Sequence, residues 1–245
     1  MTPPVPAAAE VAGDAGEFCA PHSLPIPPYL ETTYWWAYVH PRAVHVFERD
    51  WLVNLILFGN YARLRDRAVA ALGSPLRGST LQVACVYGDL TLRLRAALAS
   101  DARLQVVDVL PIQLRNLRAK LPADEGVTLL QGDSAALAAP DASHDQVLLF
   151  FLLHEQPEPV RRATLAEAWR VTRPGGRIVL VDYHRPVALH PMRLLMRAVF
   201  RRLEPYAIDL WRHEIDEFLP PGARPAAASK QTFYGGLYQL RVLTR

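Results

Sequence analysis

Leu81 to Leu98 reads LQVACVYGDLTLRLRAAL: an apolar strand, a tight turn, and a helix that starts at once. Strand, turn and helix in that order are how α/β folds hold a nucleoside or dinucleotide. Such turns are normally rich in glycine, because a backbone that hugs a ligand needs φ angles and close approaches that side chains forbid. Here only Gly88 remains, with Val86 and Tyr87 where small residues are expected.

Alternating units follow outward from this stretch. TLQVACVY, LQVVDV, VTLLQGD, DQVLLFFLL and RIVLVDY read as strands. LTLRLRAALAS, PIQLRNLRAKL and PVRRATLAEAWRVTR read as helices, the last ended by PGG, and SAALA as a short one. Strands alternating with helices imply a doubly wound parallel sheet. The near-continuous apolar runs suit strands buried on both faces. Beyond Pro186, HPMRLLMRAVFRRLEPYAIDLWRHEIDEFL reads as a helix, and QTFYGGLYQLRVL as an antiparallel hairpin turning at Gly235 and Gly236. Upstream, apolar positions from Pro41 to Leu72 recur at helical spacing, giving one long or two consecutive helices. The expected organisation is a disordered tail over 1–28, a helical cap over 29–75, and an α/β domain over 76–245 with a helical insertion near 187–219.

Composition excludes more than it assigns. A net charge of +3 in 245 residues is too small to argue for nucleic acid. Cys19 and Cys85 form no CxxC pattern, so neither a disulfide framework nor a zinc knuckle is expected, and a reducing cytoplasm is the default. The first residues lack the basic and apolar regions of a secretory signal. WLVNLILFG and VLLFFLL fall short of the roughly 18–20 apolar residues that span a bilayer, so a soluble or peripheral protein is expected.

In doubly wound sheets a ligand lies across the carboxyl ends of the strands. That rim should carry Ala84, Tyr87 and Gly88, then Asp108 and Val109, Asp133 and Ser134, His154 and Glu155, and finally Asp182, Tyr183 and His184. Asp108 stands 20 residues past Gly88, the spacing at which an acid takes ribose hydroxyls. Asp133 either accepts from an adenine amino group or caps the following helix. HE at 154–155 is not a zinc-protease motif, because Glu158 replaces the second histidine and Pro157 breaks the helix. At the rim, His154 and Glu155 can act as base or ligand. Strand alternation puts Asp182 and His184 on one side, which with His154 makes an oxygen/nitrogen set for a metal.

VACVYGDLTLRL resembles the VACGTGDLTLRL type of first motif in quinone C-methyltransferases, within the Rossmann-like class I S-adenosylmethionine methyltransferases. LLQGDSAALAAPDASHDQV, AWRVTRPGGRIVLVDYHRP and the closing GG hairpin are similar to the same group. NAD-dependent dehydrogenases fit less well, since GxGxxG is absent. With YWWAYVHP, FFLLHEQPEPVRR, VDYHRP and DLWRHEI, the chain from Tyr29 onward resembles the methyltransferase-like rhodoquinone-biosynthesis family RquA.

That resemblance implies an enzyme replacing a methoxy group of ubiquinone by an amino group, with S-adenosylmethionine as amino donor and manganese as helper ion. It implies a substrate lid from Tyr34, Trp35, Tyr38 and His40, with Trp211 also at the quinone. It places the protein on the cytoplasmic face of a bacterial inner membrane, where the arginine-rich helix of 190–203 would contact lipid. Methyltransferases usually carry an acid at position 82. Neutral Gln82 would ease proton loss from the cofactor's ammonium, which suits an amino donor. Two alternatives stay open: an ordinary quinone methyltransferase, and a non-catalytic quinone-binding protein of the same fold.

Overall fold

The computed structural model describes residues 9–10, 24–40, 44, 46–122 and 126–245. Five strands form a parallel sheet as the alternation implies: β2 (Ser79–Val83), β3 (Arg103–Asp108), β4 (Val127–Gln131), β5 (His144–Phe150) and β6 (Thr172–Tyr183). A closing hairpin, β7 (Ala227–Phe233) and β8 (Tyr238–Thr244), adds β8 antiparallel to β6. A two-residue strand, β1 (Ala9–Glu10), completes the order β1-β4-β3-β2-β5-β6-β8-β7.

The connections from β2 run outward through β3 to β4, and the chain then returns to place β5 on the other side of β2. This reversal is the topological switch point, where a crevice opens between strand ends. Val147 to Phe150 in β5 are almost fully buried, as a strand covered on both faces must be.

The helices are α1 (Pro28–Thr33), α2 (Asp50–Ile56), α3 (Tyr61–Leu72), α4 (Leu90–Ala96), α5 (Pro111–Lys120), α6 (Glu158–Val171), α7 (Arg193–Arg202) and α8 (Asp209–Arg212). Leu64, Ala68 and Leu72 on one stripe of α3 are buried against the sheet cluster that includes Val179 and Leu240. A π-helical turn at Trp35–Val39 links α1 to the rest of the cap.

Four sequence expectations are corrected. The helix expected over 190–219 is three pieces, α7, α8 and a 3-10 turn at Ile215–Phe218. Pro205 disfavours helical geometry at Glu204 and removes an N–H donor, so α7 stops. SAALA is no helix; Asp133 bridges Ala136, and Asp133 Oδ1 accepts from Ala135 N at 2.8 Å, closing a local turn. PGG lies inside β6, which begins at Thr172. In the tail expected to be disordered, Ala9 and Glu10 pair with Gln131 and Leu130. β4 would otherwise present an open edge of N–H and C=O groups. The other residues of 1–23 lie outside the described ones.

Candidate active site

The loop after β2 does not curl around open space. Ala84 adopts φ +73°, a left-handed conformation costly for a side-chain-bearing residue, and Phe151 after β5 adopts φ +53°. Both line one cavity of about 580 Å³ at the switch point. Strained backbone at two strand ends facing the same hole is the kind of feature that functional sites retain.

One end of this cavity is the expected nucleoside rim: Asp108, Val109, Gly132, Asp133 and Ser134. Asp108 is more constrained than the spacing implied. Its Oδ2 accepts from Cys85 N at 2.7 Å and its Oδ1 from Leu110 N at 2.8 Å. Burial pushes its carboxyl up to about 6, against the pull of those two donors. The Cys85 thiol is a third donor to this carboxylate, leaving one lone pair for a ligand hydroxyl. Ser134 is shared between Thr164 and Gln156, both at 3.0 Å.

Next to this rim the loop after β2 is packed against the cap. The Tyr87 ring stacks on Tyr38 at 5.6 Å and on Phe47 at 5.9 Å. Its hydroxyl donates to Ala37 O at 2.7 Å and accepts from Gln113 Nε2 at 2.8 Å. Tyr87 therefore clamps the cap to the loop and is not free for catalysis. Gly88 N donates to Glu48 Oε1 at 3.1 Å, and the same carboxylate takes Asn116 and Lys120. Gly88 has to be glycine: at φ +88° an added Cβ would lie 2.6 Å from the Tyr61 hydroxyl.

Gln82 does not reach the cavity. It is fully buried, its Oε1 accepting from Thr91 Oγ1 at 2.9 Å and its Nε2 donating to Ala84 O at 3.0 Å. These bonds fasten the strand end to the first turn of α4. The expectation that Gln82 tunes a cofactor ammonium is corrected on that ground.

The other end of the cavity holds an acid–base cluster. Both Asp182 oxygens accept backbone N–H groups, from Leu153 and His154 on Oδ2 at 2.9 and 3.2 Å and from Tyr183 on Oδ1 at 2.7 Å. His154 Nδ1 sits 2.9 Å from Asp182 Oδ1, so Nε2 is turned toward Glu155 and Glu204, at 3.8 and 3.9 Å. Burial opposes a charge on His154, but Asp182, Glu204 and Glu155 outweigh it and lift the imidazole to about 9. Burial drives Glu155 up to about 8 and Glu204 up as well, while the His154 charge pulls both down. Tyr38 donates to Glu155 and Tyr34 lies against Glu204. Tyr183 packs edge-on to His154 at 4.9 Å.

Glu204 escaped sequence reasoning because it sits in what reads as a continuous amphipathic helix; the one signal was the following Pro205. Arg161 was missed for a similar reason. Fully buried on α6, it donates to the carbonyls of Leu153, Gln156 and Tyr206, each at 2.9 Å, and fixes the loop that carries His154.

Several expected site residues lie elsewhere. His184 points away from the cavity, its Nδ1 2.8 Å from Gly236 O and its Nε2 3.8 Å from Glu214. The proposed metal set of His154, Asp182 and His184 is therefore split, and the Asp182 carboxylate is taken up by three backbone N–H groups with His154 alongside. Among the described residues no group of three His, Cys, Asp or Glu side chains is placed to hold a metal ion. Manganese does not fit the residues expected to bind it. Trp35 is 52% exposed and stands edge-on to His40, also exposed; Trp36 lines the cavity instead. Trp211 is buried on Phe200 and is not part of the lining. Of the tyrosines expected in the lid, Tyr38 lines the cavity, whereas Tyr34 is fully buried and does not.

Five parallel strands with a closing antiparallel hairpin, and a crevice at the switch point, make the class I methyltransferase fold. Residues 80–176 match the family model described as a methyltransferase domain. The chain is 26% identical over 183 residues to demethylmenaquinone methyltransferase of Bacillus licheniformis, covering 72% of this chain and 78% of that protein. It is 31% identical over 137 residues to demethylmenaquinone methyltransferase of Staphylococcus aureus strain MRSA252, covering 56% of each, so the match spans little more than half of that relative. Human N-acetylserotonin methyltransferase, solved in complex with S-adenosylmethionine, shares the fold at a TM-score of 0.63 and 13% identity, over 90% of this chain and 60% of that one.

Proposed function

We propose that the protein is an S-adenosylmethionine-dependent transferase acting on a lipophilic quinone. The observation that carries this reading is the single cavity that runs from the Asp108–Ser134 rim to the His154–Glu155–Glu204 cluster under an aromatic cap. Asp108, Val109, Asp133 and Ser134 suit a nucleoside. The apolar middle, with Phe150, Phe151 and Tyr38, suits a flat ring with a hydrocarbon tail. His154, oriented by Asp182, is in place to take or return a proton at a ring oxygen. The bound cofactor would supply the transferred group.

The relatives' names, demethylmenaquinone methyltransferase, support methyl transfer to a demethylated quinone. A second reading, amino transfer that converts ubiquinone to rhodoquinone, is supported by a specific observation: Glu48 occupies the donors of Gly88, Asn116 and Lys120, beside Val86 and Tyr87, which line the cavity. A cofactor bound there has to adopt a different pose, with its amine free to turn inward.

One experiment separates the readings. Purified protein is incubated with ubiquinone, or with a demethylated quinone, and S-adenosylmethionine labelled at the methyl carbon and at the amino nitrogen. Mass gain by the labelled methyl supports the first reading, and heavy nitrogen in the ring supports the second. No labelled product from either quinone, with the cofactor recovered intact, overturns both.

A further inference from the structure

Outside the cavity, the insertion carries a concentration of positive charge with no local answer. Arg185, Arg193, Arg197 and Arg212 line one groove of about 380 Å³ beside Trp211. Among the described residues none of the four makes an ion pair; Arg193 donates to Ala188 O at 3.2 Å. The carboxylates of the adjoining groove are taken, Glu214 by Lys230 at 2.6 Å and Glu217 by His213 at 2.9 Å. Guanidinium groups held together without counter-charge form an anion site, and their planar forks suit phosphate oxygens.

Apolar side chains stand next to that charge. Leu189 is 95% exposed and Leu194 78%, with Leu195 about half exposed. On α7, Arg193, Arg197 and Arg201 recur every fourth residue as one stripe, while Leu194 and Ala198 form the stripe beside it. Phosphate-binding arginines flanking exposed leucines are the pattern of a helix lying in a lipid interface. The same helix leads to the mouth of the cavity: Leu203, just past its end, and Leu55 and Ile56 of α2 are solvent-exposed and also line the hole.

We propose that this face docks on an anionic phospholipid bilayer. The arginine groove takes headgroup phosphates, the leucines enter the interface, and the greasy mouth is set toward lipid. Among the described residues no helix is long and apolar enough to cross a membrane, so the contact is with the surface. This goes beyond the transferase reading and is tested apart from it, with neither quinone nor cofactor present.

The full chain is floated with phosphatidylcholine vesicles, with and without phosphatidylglycerol. Flotation is expected only with the anionic lipid, and it should fall with added salt, since surface charges are screened beyond about 10 Å at 0.1 M. Arg193→Ala, Arg197→Ala and Arg212→Ala should each cost roughly fivefold in partitioning. Arg197→Lys should keep it, and Leu194→Ser with Leu195→Ser should abolish it at every salt concentration. These positions are on the surface, and circular dichroism checks that each variant folds. Flotation with neither lipid, equal flotation with both, or unchanged partitioning of the arginine variants overturns the proposal. So does displacement by millimolar inorganic phosphate, which would mark a free-anion site, or equal retention by a DNA duplex.

Discussion

His154 Nδ1 lies 2.9 Å from Asp182 Oδ1, and this contact determines which nitrogen faces the cavity. Beside that carboxylate the ring stays charged, and Nε2, turned toward Glu155 and Glu204, is the nitrogen offered for proton transfer. Asp182 therefore works through His154 and touches no ligand. Replacing Asp182 by Asn should lower kcat about 100-fold or more with little change in KM, as loss of positioned general acid–base catalysis does. His154→Gln should match it, and the double variant should be no worse than either one. Steady-state kinetics on the four proteins checks this, since a merely structural role would make the two losses multiply.

Stability should decline with rising pH. The folded pKa of His154, about 9, lies above its ordinary 6.5, so its contribution is complete below about 6.5 and is lost as pH rises through 9. Glu155 acts in the same direction: raised from 4.5 to about 8 by burial, it keeps a proton in the folded state that the unfolded chain releases. Melting temperatures measured between pH 6 and pH 10 should fall steadily, and His154→Gln should flatten the part of the curve above 6.5.

Glu48 fills the anion cradle made by Gly88 N, Asn116 and Lys120. Glu48→Gln should weaken a charge-assisted set worth about 1–2 kcal/mol, lowering Tm by a few degrees. The same change should tighten S-adenosylhomocysteine severalfold, because the ligand's carboxylate no longer competes with a resident one. Titration calorimetry with scanning calorimetry measures both, and a stable variant with unchanged affinity would refute the cradle's role.

Gln82 and Gly88 should respond to substitution as framework. Gln82→Glu buries a carboxylate beside Thr91 and the Ala84 carbonyl, and should destabilise by about 1–3 kcal/mol without moving the pH optimum of turnover. Gly88→Ala meets both a left-handed backbone and the Tyr61 phenol, and should cost about 2 kcal/mol or more. Denaturant melts give the stabilities, and a pH–rate profile of Gln82→Glu gives the optimum.

The sheet was legible because period and punctuation agree with the tertiary structure. Runs such as DQVLLF are apolar throughout only when both faces are covered, and the GG between two apolar runs admits little besides a hairpin. The rim residues Asp108, Asp133, His154 and Tyr183 were legible too, since strand ends in a parallel sheet converge by topology alone. What escaped was anything decided by side-chain direction or by distant partners. Gln82 and His184 stand at rim positions but turn into the core and onto the hairpin. Glu204 and Glu48 come from segments with no strand to position them, and nothing local in their sequence says that they meet His154 or Gly88. The short helices of 193–219 were hidden because Pro205 was outweighed by apolar periodicity on both sides.

The buried guanidinium of Arg161 joins the loop after β5 to the segment that follows α7. It grips the carbonyls of Leu153 and Gln156, which bracket the acid–base loop, and also the carbonyl of Tyr206 in the outer segment. The loop that carries His154 and the outer segment are thus tied together through one buried cation.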